Sequence, residues 1–247
     1  MTDHYAVMGN PIAHSKSPRI HTPFAEQTGA ALDYRAILVD LDGFAQAVTD
    51  FSKHGGKGLN VTVPFKEQAW ALSTTRSTRA ELAGAVNTLS LEDDNTILGE
   101  NTDGAGLVRD LLQNHGAKLA GQRILLLGAG GAARGVIGPL LDETPALLVI
   151  ANRTAEKAVE LARRFCELGH TEGCGLDDVA GQPFDIIINA TAASLSGAIP
   201  AIAGDTITAG THCYDMMYGD RPTAFMEWAR AQGAAQVTDG LGMLVEQ

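Results

Sequence analysis

"RILLLGAGGAARG", Arg123 to Gly135, decides how the second half of this chain folds. Four apolar residues, Ile124 to Leu127, run into a glycine-rich turn, and the small residues after it open a helix. Gly128, Gly130 and Ala133 match G-x-G-x-x-A in the strand, turn and helix setting that this motif requires. Gly128 permits the tight turn, Gly130 lets a pyrophosphate approach the backbone, and Ala133 allows the helix to pack close. Ala129, Gly131 and Ala132 complete the loop at the helix N-terminus, where backbone N–H groups and the helix dipole favour an anion. A glycine turn that merely packs tightly would read the same. The flanking strand and helix, with a second strand at the right distance, favour a dinucleotide.

That second strand is "LLVIANRT", Leu147 to Thr154. An acid roughly 20 residues past the glycines normally holds a ribose 2′-hydroxyl. Here the strand ends in Asn152, Arg153 and Thr154, and the next acid is Glu156. A carboxylate repels a 2′-phosphate, whereas a guanidinium pairs with it and stacks on adenine. Thr154 can cap the next helix and donate to the phosphate, and Lys157 lies one turn further on. These residues predict NADP.

Outward from this unit the rhythm continues: "AARGVIGPLL", "ALLVIAN", "TAEKAVELARRFCELG", "FDIIINAT", "THCYDMMY" and "TAFMEWARAQG". Apolar runs separated by helices indicate a parallel sheet covered on both faces. Toward the N-terminus, "YAVMG" (Tyr5–Gly9) and "DYRAILV" (Asp33–Val39) read as strands. "SPRIHTPFAEQTG" reads as a helix capped by Ser17, with Pro18 at its first position and Gly29 as its stop. "GFAQAVTDFSKHGG" is a second helix closed by glycines, and "GLNVTVPFKEQAW" is a strand broken at Pro64 with a helix after it. "AVNTLSLEDDNTILGENTDG" reads as a hairpin turning at Asp93–Asn95, and "GAGLVRDLLQNHG" as a connecting helix. The expected fold is therefore α/β: a substrate-binding domain over 1–103 with a mixed, mostly parallel sheet, a Rossmann-type domain over 104–237, and a cleft between them.

The chain has 247 residues, of which 45% are hydrophobic and 19% charged, as in an ordinary globular protein. Its net charge of −11 offers no broad basic field for nucleic acid, while a small anion needs only a few local donors. Cys166, Cys174 and Cys213 form no CxxC pair and suggest buried thiols in a reducing compartment. With no secretory h-region and no membrane-length apolar run, the expectation is a cytoplasmic protein.

No Tyr-x-x-x-Lys occurs, and neither a P-loop nor G-x-S-x-G is present. The seven histidines keep no metal-ligand spacing with cysteines or acids, so no metal is expected. Polar chemistry concentrates instead in the first domain. "NPIAHSKSP" offers Ser15 and Ser17 beside His14 and Lys16, and "LNVTVPFKE" offers Asn60, Thr62 and Lys66. Asn87 follows in "GAVNT", then Asn101, Thr102 and Asp103 in "ENTDGAG". Each has a plain alternative, such as a helix cap for the serines and Asp103 or a solvated lysine for Lys66. As a set they suit a polyhydroxylated acid.

Together, "GNPIAHSKSP", "LNVTVPFKE", "AGAVNT", "NTDGAG", "GAGGAARG", "NRT", "INAT", "YDMMY" and "DGLGML" resemble, in order, the motifs of the shikimate dehydrogenase family. The resemblance runs from Tyr5 to Gln247 and implies NADP-dependent reduction of 3-dehydroshikimate to shikimate, a step of aromatic amino-acid biosynthesis. It implies that Ser15 and Ser17 bind the substrate carboxylate, and that Asn60, Thr62, Asn87, Asp103, Tyr218 and Gln247 contact its hydroxyls or ring. Lys66 and Asp103 would form the catalytic pair, with the lysine giving a proton to the carbonyl oxygen and the aspartate favouring its charged form. Thr191, Met216 and Gly240 would lie along the cofactor, the last two on the nicotinamide side. Members usually continue past "GMLVEQ" with an apolar helix, so 238–247 is expected to begin a segment returning to the first domain. The expected assembly is a monomer or homodimer. The rival readings are a quinate/shikimate paralogue that often uses NAD, a non-catalytic NADP-binding regulator, and a tRNA-linked reductase. "NRT", the retained Lys66 and Asp103, and the lack of a cysteine near the cleft motifs argue against them in turn.

Overall fold

The computed structural model describes residues 2–13, 15–92, 94 and 96–247, with backbone only at 195 and 196. It divides into two units, Met1–Thr102 and Asp103–Gln247.

In the first unit the chain runs β1 (Asp3–Gly9), α1 (Ser17–Thr28), β2 (Leu32–Leu38), α2 (Phe44–Lys53), β3 (Gly56–Val61) and α3 (Lys66–Leu72). β4 (Thr75–Arg76), α4 (Thr78–Ala83), β5 (Thr88–Leu91) and β6 (Ile97–Glu100) complete it. The sheet order is β2-β1-β3-β5-β6-β4. β1 pairs in parallel with β2 and β3, while β5 is antiparallel to β3 and β6, so the sheet is mixed as expected. Asp93 and Asn95, expected at the hairpin turn, lie outside the described residues, as does His14.

α1 corrects one detail. Ser17 is its first helical residue rather than its cap, and Lys16 takes the cap position. The cause is local: Ser15 N–H bonds the Ile12 carbonyl, and the Lys16 carbonyl already accepts from Arg19 and Ile20. Gly29 does end the helix, at φ +70°.

The core of this unit sets where chemistry can occur. Phe44 and Phe65 stack at 4.9 Å within an apolar cluster that includes Met8, Val48, Leu59 and Leu89. Phe65 is fully buried, and truncating it to alanine should cost about 3–5 kcal/mol. It immediately precedes Lys66, so the start of α3 is anchored by core packing.

The second unit opens with α5 (Asp103–Arg109), which widens into a π-helical turn at Asp110–Asn114. β7 (Arg123–Leu127), α6 (Gly131–Asp142), β8 (Leu147–Asn152), α7 (Ala155–Phe165) and β9 (Thr171–Gly175) follow. β10 (Ile186–Asn189), β11 (His212–Asp215), α8 (Ala224–Ala231), β12 (Gln236–Asp239) and α9 (Leu241–Glu246) close it. All pairings are parallel, in the order β12-β11-β10-β7-β8-β9. Counted from β7 as the first strand, that is the 3-2-1-4-5-6 order of a doubly wound dinucleotide fold. α7 shows how the sheet is covered: Ala158, Leu161, Ala162 and Phe165 recur at helical spacing and are buried, and its other face is polar apart from Val159.

β9 and β12 are additions to the sequence reading. They are the two edge strands, and "TEGCG" and "QVTD" carry no apolar run because an edge strand buries little. The expectation of three buried thiols also needs correction: Cys213 is buried, Cys174 half-buried and Cys166 exposed, since Cys166 follows α7 on its way back to solvent. Among the described residues, no helix is long and apolar enough to cross a membrane.

Candidate active site

In the first unit, the polar residues gather at the ends of β1, β3 and β5. Gly9 ends β1 against the loop after β3, and a Cβ there would collide with Thr62 Cγ2 and sit 3.1 Å from the Val63 carbonyl. Thr62 N–H bonds the Met8 carbonyl and Asn10 N–H bonds the Val63 carbonyl, so the two strand ends are laced together. The loop then enters α3, whose first residue is the half-buried Lys66. Lys66 is tied down through its carbonyl, which accepts from Val86 N–H at 2.8 Å. Asn87 is the next residue, which sets the lysine backbone beside the amide.

Asn60 and Thr88 lie directly opposite each other across β3 and β5. Asn60 Nδ2 donates to Thr88 Oγ1 at 3.3 Å, and Thr88 Oγ1 donates to Asn87 Oδ1 at 3.0 Å. Asn87 Oδ1 also accepts the backbone N–H of Thr102 at 3.0 Å, and its Nδ2 reaches Thr102 Oγ1 at 2.9 Å. The far end of the run is Tyr34, whose hydroxyl donates to Asn60 Oδ1. His21 stacks on the Tyr34 ring at 4.3 Å, and burial holds its pKa below the usual histidine value against a hydrogen bond to Asn60. Ser15 and Ser17 form a separate pair at the start of α1, with their hydroxyls 3.2 Å apart. Asn101, the other polar residue of that corner, is buried and donates to the Ala85 carbonyl.

In the second unit the strand register does the placing. Ala151, Leu127, Asn189, Asp215 and Asp239 stand in one row at the carboxyl edge of the sheet. The residues just beyond that row are Asn152, Gly128, Ala190, Met216 and Gly240. Four of these five were expected at a cofactor, with Thr191 one residue past Ala190. In open α/β sheets ligands bind at this edge, where the strand order reverses, here between β7 and β10.

Gly128 has φ +110°, a conformation costly for any residue with a Cβ, and its N–H bonds the Ala151 carbonyl. Gly130 caps α6, and a Cβ there would meet nothing within 4 Å. The turn therefore faces open space, with the N–H groups that begin a 12-residue helix directed at it. Ala133 is fully buried beneath. At the end of β8, Arg153, Thr154 and Lys157 are exposed together, and Asn152 bends its amide onto the Thr154 carbonyl at 2.9 Å. Thr154 occupies the cap position of α7, but its hydroxyl makes no capping bond there, contrary to expectation. The backbone enters the helix from an extended conformation, at φ −101° and ψ 98°. An open turn, a helix N-terminus and a strand end that presents Arg153 with no acid before Glu156 fit a dinucleotide with a 2′-phosphate.

A buried network braces the other side of this edge. Asp215 is fully buried and accepts from Asn189 Nδ2 (3.1 Å), Ser194 Oγ (2.7 Å), Thr223 Oγ1 (2.6 Å) and Met217 N–H (3.1 Å). Burial pushes its pKa up, and these four donors oppose that shift. Asn189 Oδ1 in turn holds Thr191 through both its N–H and its hydroxyl. The loops after β10 and β11 are thus fixed from below, with Met216 and the half-buried Tyr218 on the second. Gly240 packs on Met216, since a Cβ there would run into the Met216 carbonyl. Asp103, at the start of α5, is buried, and Gln247 Nε2 donates to its Oδ1 at 3.2 Å. α9, over 241–246, lies on α5 within this second unit: Arg109 Nε pairs with Glu246 Oε2 at 3.0 Å.

Sequence reasoning missed Tyr34, His21, Thr88, Asn189, Ser194 and Asp215. One signal was readable: His21 stands four residues after Ser17 and so shares its face of α1. Among the described residues no three His, Cys, Asp or Glu gather as a metal set.

Two family models match the chain: the shikimate dehydrogenase substrate binding domain over residues 7–89, and shikimate / quinate 5-dehydrogenase over 110–198. A shikimate dehydrogenase (NADP(+)) from Alkalilimnicola ehrlichii is 58% identical over 247 residues, covering 100% of this chain and 91% of that protein. Among solved structures, an Ael1 enzyme from Pseudomonas putida superposes with a TM-score of 0.87 at 46% identity, over 99% of this chain and 89% of that one. Shikimate 5-dehydrogenase from Thermus thermophilus, in complex with NADP(H) and shikimate, gives 0.84 at 30% identity, over 99% and 89%.

Proposed function

The chain belongs to the shikimate dehydrogenase family, and from that membership we propose that it interconverts 3-dehydroshikimate and shikimate with NADP as cofactor. One observation carries the substrate half of this reading. The first unit holds a continuous run of amide and hydroxyl groups, Tyr34 to Thr102, beside the backbone of Lys66. Half-buried polar groups of this kind favour a ligand that returns hydrogen bonds, as a polyhydroxylated acid does.

In this reading the first unit supplies most of the substrate-binding groups and the second binds the nucleotide. Ser15 and Ser17 receive the carboxylate, and Asn60, Thr62, Asn87, Tyr218 and Gln247 address the ring and its hydroxyls. The Gly128–Ala133 turn holds the pyrophosphate. Arg153, Thr154 and Lys157 hold the 2′-phosphate beside Asn152, Thr191 lies along the cofactor, and Met216 and Gly240 line the nicotinamide. NADPH, when bound, supplies hydride. The Lys66 ammonium polarises the substrate carbonyl and gives its oxygen a proton, and the Asp103 carboxylate favours that charged form of the lysine.

Absorbance of NADPH formed from shikimate plus NADP, set against quinate plus NAD, tests the proposal. Rapid NADPH production with shikimate alone supports it. Faster turnover of quinate with NAD would replace it with the paralogue, and NADP binding without turnover would leave a regulator.

A further inference from the structure

The first-unit network has a direction, and a single backbone group sets it. An N–H of the main chain can only donate, so Thr102 N–H fixes Asn87 with its oxygen, not its nitrogen, at that contact. The same oxygen faces Thr88, so the Thr88 hydroxyl spends its one proton on Asn87. Thr88 must then accept from Asn60, which turns Nδ2 of Asn60 toward Thr88 and Oδ1 toward Tyr34. His21 supports the Tyr34 end of this order. Its ring lies flat on Tyr34 at 4.3 Å and holds the phenol whose hydroxyl donates to the amide oxygen. The Asn60 oxygen thereby accepts from the Tyr34 hydroxyl, while its amide nitrogen carries a second N–H beyond the one given to Thr88.

Resting on the functional reading above, we propose that Tyr34, with His21 stacked on it, is a positioning residue that locks Asn60 as a hydrogen-bond donor toward the substrate. The half-site then selects an acceptor oxygen at that position. A rotated amide would present its oxygen instead and meet the substrate oxygen's lone pairs. Neither Tyr34 nor His21 needs to touch the substrate for this; both act through Asn60.

The test combines kinetics with a readout independent of turnover. Tyr34→Phe should raise the KM for shikimate about three- to tenfold, the loss expected for one neutral hydrogen bond. Its kcat and its KM for NADP should stay within about twofold of wild type. Thr88→Val, which breaks the network from the other side, should shift the same parameter. On an Asn60→Ala background, Tyr34→Phe should add nothing, because the group it positions is gone. An unchanged KM in Tyr34→Phe, or an equal penalty with and without Asn60, would overturn the proposal. The side-chain amide signals of Asn60 in a ¹⁵N-labelled free protein give the second readout. They should move in Tyr34→Phe, and signals left in place overturn the positioning role whatever the substrate proves to be. Wild-type protein that fails to oxidise shikimate would count against the functional reading alone.

Discussion

The side-chain amide of Gln247 donates to the buried carboxylate of Asp103 at 3.2 Å, so the residue after α9 steadies the first residue of α5. Removing that donor leaves Asp103 less fixed without removing its charge. Gln247 is exposed, which limits the loss to about 1 kcal/mol, below the usual worth of a bond to a charged group. Gln247→Ala should therefore lower kcat/KM for shikimate by roughly three- to tenfold. Steady-state kinetics at fixed NADP check this, and wild-type kinetics would assign the contact to packing.

Lys66→Ala should depress kcat by about 10²–10⁴-fold, the range of general acid catalysis, with a smaller change in KM. The backbone anchor of Lys66, its carbonyl to Val86 N–H, survives the substitution, so the fold should persist. Circular dichroism alongside the assay separates the two effects. Turnover at the wild-type rate would remove Lys66 from the chemistry.

Arg153→Ala should weaken NADP by about tenfold to a hundredfold, from one charge-assisted bond worth about 1.5–3 kcal/mol. NAD, which lacks the 2′-phosphate, should be affected far less. Parallel titrations with the two nucleotides read the difference, and equal losses would sink the phosphate role.

Gly9→Ala forces a Cβ into Thr62 Cγ2 and against the Val63 carbonyl. Thr62 must move, and the strand-end lacing with it. The expected cost is about 1–3 kcal/mol of stability with a raised KM for shikimate and an unaltered one for NADP. Chemical denaturation and kinetics on the same preparation show whether both occur.

His212 gives a pH prediction. Burial, then the neighbouring His115, holds its pKa down to about 4, against the opposing pull of Asp110. Its Nε2 pairs with Thr238 Oγ1 and its Nδ1 is buried without a hydrogen-bond partner, so the neutral ring is the one the fold accepts. The unfolded chain binds the proton near pH 6.5, so this contribution is complete above that value and is lost as pH falls toward 4. The free energy of unfolding should therefore decline across that window by roughly 1–3 kcal/mol more in wild type than in His212→Gln. Parallel declines in the two proteins would exclude His212 as the source.

What could be read from the sequence was whatever the backbone itself demands. Gly128 at positive φ, Gly130 facing open space and a buried Ala133 are requirements of a turn and a helix start, and they leave letters behind. The apolar runs of β7, β8 and β10 are legible for a similar reason, since central strands are buried on both faces. Asp215 and Thr88 were not legible, because a polar residue ending or opening a short strand looks like a turn signal. Only the register shows that Thr88 meets Asn60, and only the fold brings Ser194 and Thr223 onto Asp215. Tyr34 looked like an ordinary strand aromatic for the same reason.

The donor that orders the Asn60 network, Thr102 N–H, belongs to the main chain, and every amino acid except proline supplies it. Codon changes at position 102 can thus remove a hydroxyl and still preserve the polarity of the whole array. Inheritance of that polarity rests on the receivers, Asn87 and Thr88: an aspartate at 87 still accepts at both contacts, whereas a leucine at 87 or a valine at 88 would erase it. Among diverging descendants of this chain, losing the hydroxyl at 102 costs only its contact with the Asn87 amide, while an acceptor at 87 and a hydroxyl at 88 are held.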